Sequence, residues 1–263
     1  MKIALCQMLS TEDKDTNFAE MRRLAEIGAA RGADLVVFPE WAMFEVAELS
    51  RVFVENAEPL DGPFASRVSA LAAELSVTIV YGLVETSPDP DRAYNSLLVI
   101  GPDGERVTAY RKQHLYDAFG FKESDFICPG DLDAPETFTV GDAEIGLLTC
   151  YDLRFPEPAR RVVDAGAQVL LYPASWVPGP RKEFHWKTLL LARAIENTVY
   201  VAGVSQAPGL GVGSSLAVDP MGSTIAELAE AVDVAVFEVD PTRIDVVRAS
   251  NPSLANRRYQ VTS

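Results

Sequence analysis

Several signals that place a chain in a specialised class are scarce in this sequence. Its 263 residues include three cysteines, Cys6, Cys128 and Cys150, which lie far apart and form no CxxC pair. This odd and scattered set argues against a disulfide framework and favours reduced thiols in a cytoplasmic protein. With two histidines besides, the chain offers no ligand cluster for zinc, and we expect no metal.

Positive charge is in short supply as well. The chain has 23 Lys and Arg against 38 Asp and Glu, which gives a formal net charge of −15. A surface of that sign repels phosphate backbones and anionic lipids, so we expect no nucleic-acid and no membrane partner. Apolar runs stay shorter than the roughly 20 residues that cross a bilayer. The brief apolar run at the N-terminus is soon followed by acidic residues, unlike a secretory signal.

Internal repeats and polar linkers are missing too, so residues 1–263 are predicted to form a single domain. Apolar segments of strand length alternate with segments whose apolar residues recur at helical spacing, and antiparallel hairpins are inserted between them. This alternation predicts an α/β fold with a mixed sheet, or two sheets, flanked by helices. Predicted strands include 2–8, 35–40, 77–85, 95–101, 105–112, 143–150 and 168–174, and predicted helices include 14–31, 62–76 and 183–197.

Three common catalytic or cofactor motifs are also absent. The chain has no GxSxG nucleophile turn of a serine hydrolase and no GxxxxGK[ST] phosphate loop. The segment GLGVG at 209–213 does not fit GxGxxG and precedes a predicted strand rather than a helix. Serine hydrolases, P-loop proteins and dinucleotide-binding proteins are therefore not supported.

What the sequence does contain is a cysteine at the corner between a strand and a helix. Cys150 ends the predicted strand 143–150, and a helix begins a few residues later at Pro156. A nucleophile at such a corner projects from the sheet edge, where the next backbone N–H can face a developing oxyanion. Attack requires a thiolate, and therefore a nearby base or cation. The alternative is a small buried hydrophobic side chain, which is what most free cysteines are.

Two further ionisable residues end predicted strands. Glu40 follows the apolar segment LVVFP and could act as a general base. Lys112 ends the strand after the 102–104 turn and could supply a fixed positive charge to an oxyanion. Both residue types often face water at strand ends, and the same holds for His114 nearby. Taken singly, each of these residues is weak evidence for a site.

Taken together, three motifs resemble those of the nitrilase, or carbon–nitrogen hydrolase, superfamily. They are FPEW at 38–41, YRKQHLYD at 110–117 and TCYDLRFPE at 149–157. The resemblance extends from residue 2 to about 240, and it implies an αββα sandwich that forms a homodimer or a higher homo-oligomer. Flanking segments that also resemble the superfamily are GLVE at 82–85, YNSLLVIGPDG at 94–104 and ARAIENTVYVAG at 192–203.

The resemblance also implies a mechanism. Glu40 would take the proton of Cys150, which attacks the carbonyl of a small amide and forms a thioester as ammonia or an amine leaves. Lys112 and the backbone N–H of Tyr151 would stabilise the oxyanion, and Glu123 would orient Lys112 and position the substrate. Thiol, carboxylate and ammonium suffice for this acyl transfer, so no cofactor is expected.

Within the superfamily, CYDLRFPE resembles the branch of omega-amidases and related Nit proteins. Some members of that branch act on monoamides of short dicarboxylates. Arg154 would then bind the distal carboxylate, since a guanidinium grips a carboxylate with two hydrogen bonds. Alternatively, Arg154 pairs with Asp152, Glu157 or another local acid. The segment 173–186 departs from this branch, and there Trp176, Phe184 and His185 either shape the pocket or simply pack.

Two other functions remain open at this stage. The acyl group could pass to an amine or an alcohol instead of water, or the fold could serve a noncatalytic binding protein.

A further expectation concerns the last residues, 241–263. They carry apolar side chains without an obvious strand partner in the domain, so we expect this tail to contribute to a dimer interface.

Overall fold

The computed structural model describes residues 1–132 and 135–261. None of the helices in this part of the chain combines the length and apolarity needed to cross a membrane. The helices are α1 (Lys14–Ala30), α2 (Arg51–Glu55), α3 (Pro63–Leu75), α4 (Pro156–Asp164), α5 (Lys182–Asn197) and α6 (Pro241–Ser250).

The described strands form two mixed sheets. The strands are β1 (Lys2–Gln7), β2 (Leu35–Val37), β3 (Thr78–Thr86), β4 (Ala93–Ile100), β5 (Arg106–Arg111), β6 (Ile127–Cys128), β7 (Thr137–Val140), β8 (Ala143–Leu147), β9 (Val169–Ala174), β10 (Tyr200–Ser205), β11 (Leu216–Val218), β12 (Thr224–Glu227) and β13 (Asp233–Glu238). In the first sheet the order is β13-β1-β2-β3-β4-β5, with β6 paired to β4, and in the second it is β12-β11-β10-β9-β8-β7.

Alternation along the strands separates the layers of the molecule. In β1, Ile3 and Leu5 belong to the core between the two sheets. Ala4 and Cys6 point the other way, into a core shared with α1 and α3. Helices α4 and α5 cover the second sheet. Because successive side chains of a strand face opposite sides, one strand serves both layers. The predicted α/β class and the αββα sandwich are confirmed.

Strand ends differ from their predicted positions at the three residues of interest. β2 has three residues, so Glu40 lies beyond its end, in a turn. Lys112 directly follows β5, and Cys150 begins a 3₁₀ turn after β8. Predicting that these residues end strands was therefore wrong in detail. Phe38 and Leu148, which follow β2 and β8, are as buried as strand residues, and sequence periodicity does not show where the strand stops.

The C-terminal segment also differs from expectation. Part of it forms α6, and two of its apolar residues, Ile244 and Val247, are buried against the domain that carries them. The tail was expected to lack a strand partner, and these two residues pack within the domain as part of a helix instead. Val246 and Tyr259 remain exposed, and the oligomeric state stays a prediction.

Candidate active site

The turns that follow β2, β5 and β8 converge at one edge of the sandwich, where they bring Glu40, Lys112 and Cys150 together. Lys112 Nζ lies 2.9 Å from Glu40 Oε1. Glu40 and Cys150 both contact Ser175, Glu40 through the backbone N–H and Cys150 through the carbonyl oxygen, and all three side chains are buried. A carboxylate, an ammonium and a thiol from three distant parts of the sequence thus share one site.

The backbone at Glu40 depends on a glycine in the neighbouring strand. A Cβ at Gly82 of β3 would stand 2.7 Å from the Cα of Glu40 and 2.3 Å from the backbone nitrogen of Trp41. The Gly82 N–H donates to the carbonyl of Pro39 at 3.1 Å, and Trp41 takes up a left-handed conformation with φ of 61°. The chain can therefore turn sharply against β3 and direct Glu40 into the site.

Cys150 stands at a strained point of the backbone. Cys150 has φ of 43° and opens the 3₁₀ turn Cys150–Arg154. Asp152 holds this turn in place, because its carboxylate accepts the Thr149 N–H at 2.9 Å. The first N–H groups of a helical turn have no acceptor within the turn. The backbone N–H of Tyr151 is therefore suitably placed to serve an oxyanion.

Asp152 also explains the position of His114. The carboxylate accepts hydrogen bonds from the Tyr110 hydroxyl at 2.7 Å and from the His114 backbone N–H at 3.0 Å. The His114 ring lies 2.8 Å from the same carboxylate through Nδ1, and it stacks on Phe155. His114 therefore supports the turn that carries the nucleophile and does not line the cavity above Cys150.

Lys112 is shared between two carboxylates. Its Nζ also lies 2.8 Å from Glu123 Oε2, and both partners are buried with it. Burial by itself would lower the pKa of Lys112, but the charges of Glu123 and Glu40 outweigh that effect and hold the pKa well above its ordinary value. Lys112 is therefore a permanent cation, and Glu123 orients it.

Glu40 receives two further hydrogen bonds from residues that sequence reasoning had not singled out. Asn95 Nδ2 donates to Oε1 at 2.6 Å, and the Ser175 backbone N–H donates to Oε2 at 2.7 Å. Asn95 lies within the motif 94–104, so its position was visible in the sequence. Ser175 follows β9 and carried no signal, because it acts through its backbone.

The thiol is neutral in the resting site. Burial raises the pKa of Cys150 well above its usual range, and the negative charge of Glu40 raises it further against the opposing effect of Lys112. Its Sγ lies 3.9 Å from the carbonyl oxygen of Ser175. A neutral thiol beside a carboxylate is the state from which Glu40 can take a proton as attack begins.

Two further cations near Cys150 have no carboxylate partner among the residues described. Among the residues described, neither Arg154 nor Lys182 forms an ion pair, and the Nε and Nη2 atoms of Arg154 are buried without hydrogen bonds. Both cations lie 4.9 Å from the ring centre of Trp176. The alternative pairing of Arg154 with Asp152 or Glu157 is not found.

Lys182, the first residue of α5, was missed by sequence reasoning. Its Nζ donates to the Tyr116 hydroxyl at 2.9 Å. Burial lowers the pKa of Lys182 to about 8, although Cys150 raises it, and the positive charges of Arg154 and Lys112 lower it further. A buried, unpaired lysine has no signature in a single sequence, because its neighbours come from other elements.

The cavity above Cys150 encloses about 540 Å³, part of it open to solvent. Beside the catalytic candidates it is lined mainly by apolar residues, together with Tyr116, Lys122, Ser175 and Glu45. Glu45 is a third buried carboxyl group, which sequence reasoning also missed. Its lining residues are Glu40, Trp41, Glu45, Val46, Ala47, Leu49, Phe53, Lys112, Tyr116, Phe121, Lys122, Glu123, Cys150, Ser175 and Val177.

Trp176, Phe184 and His185, which could either shape the pocket or simply pack, lie outside this lining, and so does Arg154. The Trp176 indole is buried beneath the two cations and donates to the Lys182 carbonyl at 2.8 Å. Phe184 lies exposed on α5, with its ring 6.3 Å from that of His185.

Within residues 1–132 and 135–261, no three His, Cys, Asp or Glu side chains are arranged to hold a metal ion.

An αββα sandwich with a small cavity over its strand ends is the architecture of nitrilase-like proteins. Residues 2–249 match the model of the carbon–nitrogen hydrolase family, and the chain belongs to that family. The deaminated glutathione amidase of Escherichia coli O157:H7 is 36% identical over 259 residues, which cover 98% of each chain. The chain is thus an amidase-type carbon–nitrogen hydrolase, and the predicted superfamily is confirmed.

Solved structures show the same fold. The C. elegans NitFhit protein superposes with a TM-score of 0.91 at 31% identity, over 99% of this chain and 66% of that longer one. A mutant of the amidase from Nesterenkonia sp. AN1 superposes with a TM-score of 0.84 at 26% identity, over 98% of this chain and 94% of the other. That structure carries the acetamide moiety of fluoroacetamide, added covalently at its active-site cysteine.

Proposed function

We propose that the protein hydrolyses a small amide through a thioester on Cys150. In the first half-reaction Glu40 accepts the thiol proton while sulfur attacks the amide carbon. Lys112 and the Tyr151 N–H stabilise the oxyanion of the tetrahedral intermediate. The C–N bond then breaks, the proton on Glu40 passes to the leaving nitrogen, and ammonia or an amine departs.

The second half-reaction regenerates the enzyme. Water attacks the thioester carbon and gives a proton to Glu40. As the C–S bond breaks, that proton returns to the sulfur of Cys150 and the carboxylic acid is released. Protons and electron pairs balance over the cycle without any further reactant.

The placement of Glu40 beside Lys112, in the cavity that Cys150 also lines, carries this proposal. One carboxylate oxygen of Glu40 lies 2.9 Å from the ammonium of Lys112, and Ser175 contacts both Glu40 and the thiol of Cys150. Glu40 is further oriented by Asn95 and the Ser175 N–H. A base held in this way can take the proton of Cys150.

The experiment compares Glu40→Gln with the wild type on a panel of small amides. Glutamine preserves the size of the side chain but cannot accept the thiol proton, so kcat should fall about 10²–10⁴-fold with little change in KM. Brief exposure to iodoacetamide should label Cys150 in both enzymes, which establishes that the thiol and its cavity are intact in the variant. Partly exposed Cys128 should react equally in both and serves as the internal control.

Near-normal turnover in a folded Glu40→Gln enzyme would remove Glu40 from the mechanism. Mass spectrometry of the wild type mixed with a slow amide should also detect an acyl group on Cys150. A Cys150→Ala enzyme that retains turnover contradicts the whole proposal.

The unpaired cations indicate the substrate. We infer that the amide carries a carboxylate at its far end, bound by Arg154 together with Lys182. Burying a cation without a counter-charge is unfavourable, and an anionic ligand between these two would supply the missing partner. With a net charge of −15 the surface repels anions at long range, so a local pair of cations is needed to hold one.

Arg154→Met tests this inference on two matched amides, a dicarboxylate monoamide and a neutral amide of the same size. Losing a charge-assisted contact of about 2–4 kcal/mol should lower kcat/KM for the monoamide about 30- to 1000-fold, and much less for the neutral amide. Arg106→Met, on the exposed strand β5, is the control. An equal fall on both substrates would make Arg154 structural.

A further inference from the structure

Glu45 is the third carboxyl group in the cavity and differs from the other two. Glu40 and Glu123 share the ammonium of Lys112. Glu45 is 6% exposed, yet within the described part of the chain no cation lies within ion-pair distance of it. It sits in the segment after β2 and is held there by its backbone N–H, which donates to the Thr11 carbonyl at 3.1 Å.

Its side chain has one partner and one free oxygen. The Ser175 hydroxyl donates to Oε1, while Oε2 is buried without a hydrogen bond. Ser175 is the residue whose backbone N–H holds Glu40 and whose carbonyl contacts the Cys150 thiol. Glu45 is therefore linked through this one residue to both the base and the nucleophile, and it lines the same cavity.

The charges around the cavity favour a protonated Glu45. With the thiol neutral, Lys112 already faces two carboxylates, so this cluster carries one uncompensated negative charge. A second uncompensated charge against the apolar wall would lack both a partner and solvent. Burial accordingly raises the pKa of Glu45 well above its usual range, and the charge of Glu40 adds to that effect.

We propose that Glu45 is a specificity-determining residue that presents a neutral carboxylic acid, whose Oε2–H donates a hydrogen bond to an uncharged oxygen of the substrate near the scissile amide. This inference rests on the proposed function, since the cavity must hold the amide. A free donor beside Trp41, Val46 and Leu49 selects an apolar acyl group that contains one such acceptor. A neutral Glu45 also avoids repelling a carboxylate-bearing substrate.

The test uses two variants and two amides. One amide carries an ether or ketone oxygen a few bonds from the scissile carbonyl, and the other has a methylene group there. Glu45→Gln keeps a donor and should preserve the ratio of the two kcat/KM values. Glu45→Met has similar size but no donor, and the ratio should shrink about 10- to 100-fold, the cost of leaving one buried polar group unpaired.

An unchanged ratio in Glu45→Met contradicts the proposal, and so does a loss of activity in Glu45→Gln as large as in Glu45→Met, which would indicate an ionised carboxylate. Thermal unfolding of both variants establishes that they are folded. Failure of the Glu45 proposal is distinguishable from failure of the proposed function. Only the latter would be revealed by a Cys150→Ala enzyme that retains turnover.

A second measurement does not depend on turnover. The infrared difference spectrum of wild type minus Glu45→Gln, recorded at neutral pH, should contain the C=O stretch of a protonated carboxylic acid. A carboxylate band in its place would show that Glu45 is ionised and would overturn the proposal.

Discussion

Lys112 forms ion pairs with both Glu40 and Glu123, and this sharing determines the resting state of the residues around it. Removing the lysine would leave two buried carboxylates without a counter-charge, a change that typically costs about 3–5 kcal/mol of stability. A loss of activity in a Lys112 variant could therefore arise from impaired catalysis or from a lower free energy of unfolding. Glu40→Gln separates the two effects, because it preserves size and introduces no charge.

A pH prediction follows from Lys182. Since its pKa is about 8, the side chain is cationic below that pH and loses its charge as the pH rises through it. The ratio of kcat/KM for a carboxylate-bearing amide to that for a neutral amide should therefore fall above about pH 8. kcat/KM reports the free enzyme, and the ratio cancels groups that affect both substrates, such as Cys150.

Lys182→Arg should remove this fall, because a guanidinium stays charged throughout the range. Lys187→Arg is the matched control, since Lys187 lies on the same helix but is half exposed and paired with Glu227 at 2.8 Å. Persistence of the fall in Lys182→Arg would assign it to another group and leave Lys182 without a part in binding.

At the scale of elements, short turns rather than strands carry the reactive groups. β2 ends three residues before Glu40, and β8 ends three residues before Cys150. Both turns include a residue with positive φ, Trp41 and Cys150. Such conformations cost of order 1–3 kcal/mol and persist only where the surroundings enforce them. The close contact of the first turn with Gly82 is one such constraint.

Gly82→Ala tests that constraint. The new methyl group would meet backbone atoms of Glu40 and Trp41 that cannot rotate away. A displacement of about 1 Å at the base should lower kcat about 100-fold, and thermal unfolding should shift as well. Gly28→Ala in α1 is the control, because its methyl would crowd the Ala4 side chain at 2.9 Å, in a different layer.

If steady-state kinetics show that folded Gly82→Ala retains wild-type kcat, the approach of β3 to the Glu40 turn has no part in positioning the base. An equal loss in Gly28→Ala would attribute the effect to general destabilisation instead.

At the scale of the whole molecule, two sheets contribute to one site. Glu40, Asn95 and Lys112 come from the first sheet and its turns, and Cys150 and Ser175 come from the second. The shared core between the sheets therefore sets the separation of base and nucleophile. On the outer surface, apolar side chains of neighbouring elements remain exposed and could form a contact between subunits.

We predict that the protein is a homodimer or a higher homo-oligomer through this surface. Ile195 of α5, Met221 and Val246 of α6 are each about half exposed, and Ile195 packs against the turn at Gly222. Light scattering at micromolar concentration should give a mass at least twice the 28.6 kDa of the chain. Ile195→Asp should lower it, because a charge in an apolar interface is costly.

Val107→Asp, on equally exposed β5, is the control and should leave the mass unchanged. A wild-type mass equal to that of one chain would contradict the prediction, whereas a tetramer agrees with it.

The layered α/β architecture and the approach of Glu40, Lys112 and Cys150 could be predicted from the sequence alone. Alternating apolar periodicity is a local property, and three spaced motifs identify a family whose fold is known. Glu123 could be predicted in the same way, because it lies within matching sequence.

Only the tertiary structure determines the protonation and pairing of these groups and identifies the neighbouring residues that contact them. The neutral thiol, the unpaired Arg154 and Lys182, the backbone of Ser175 and the isolated carboxyl group of Glu45 all depend on burial and on charges brought close from other elements. Desolvation and Coulomb interactions act through space. A linear sequence does not record which side chains share a cavity or which of them lacks a partner.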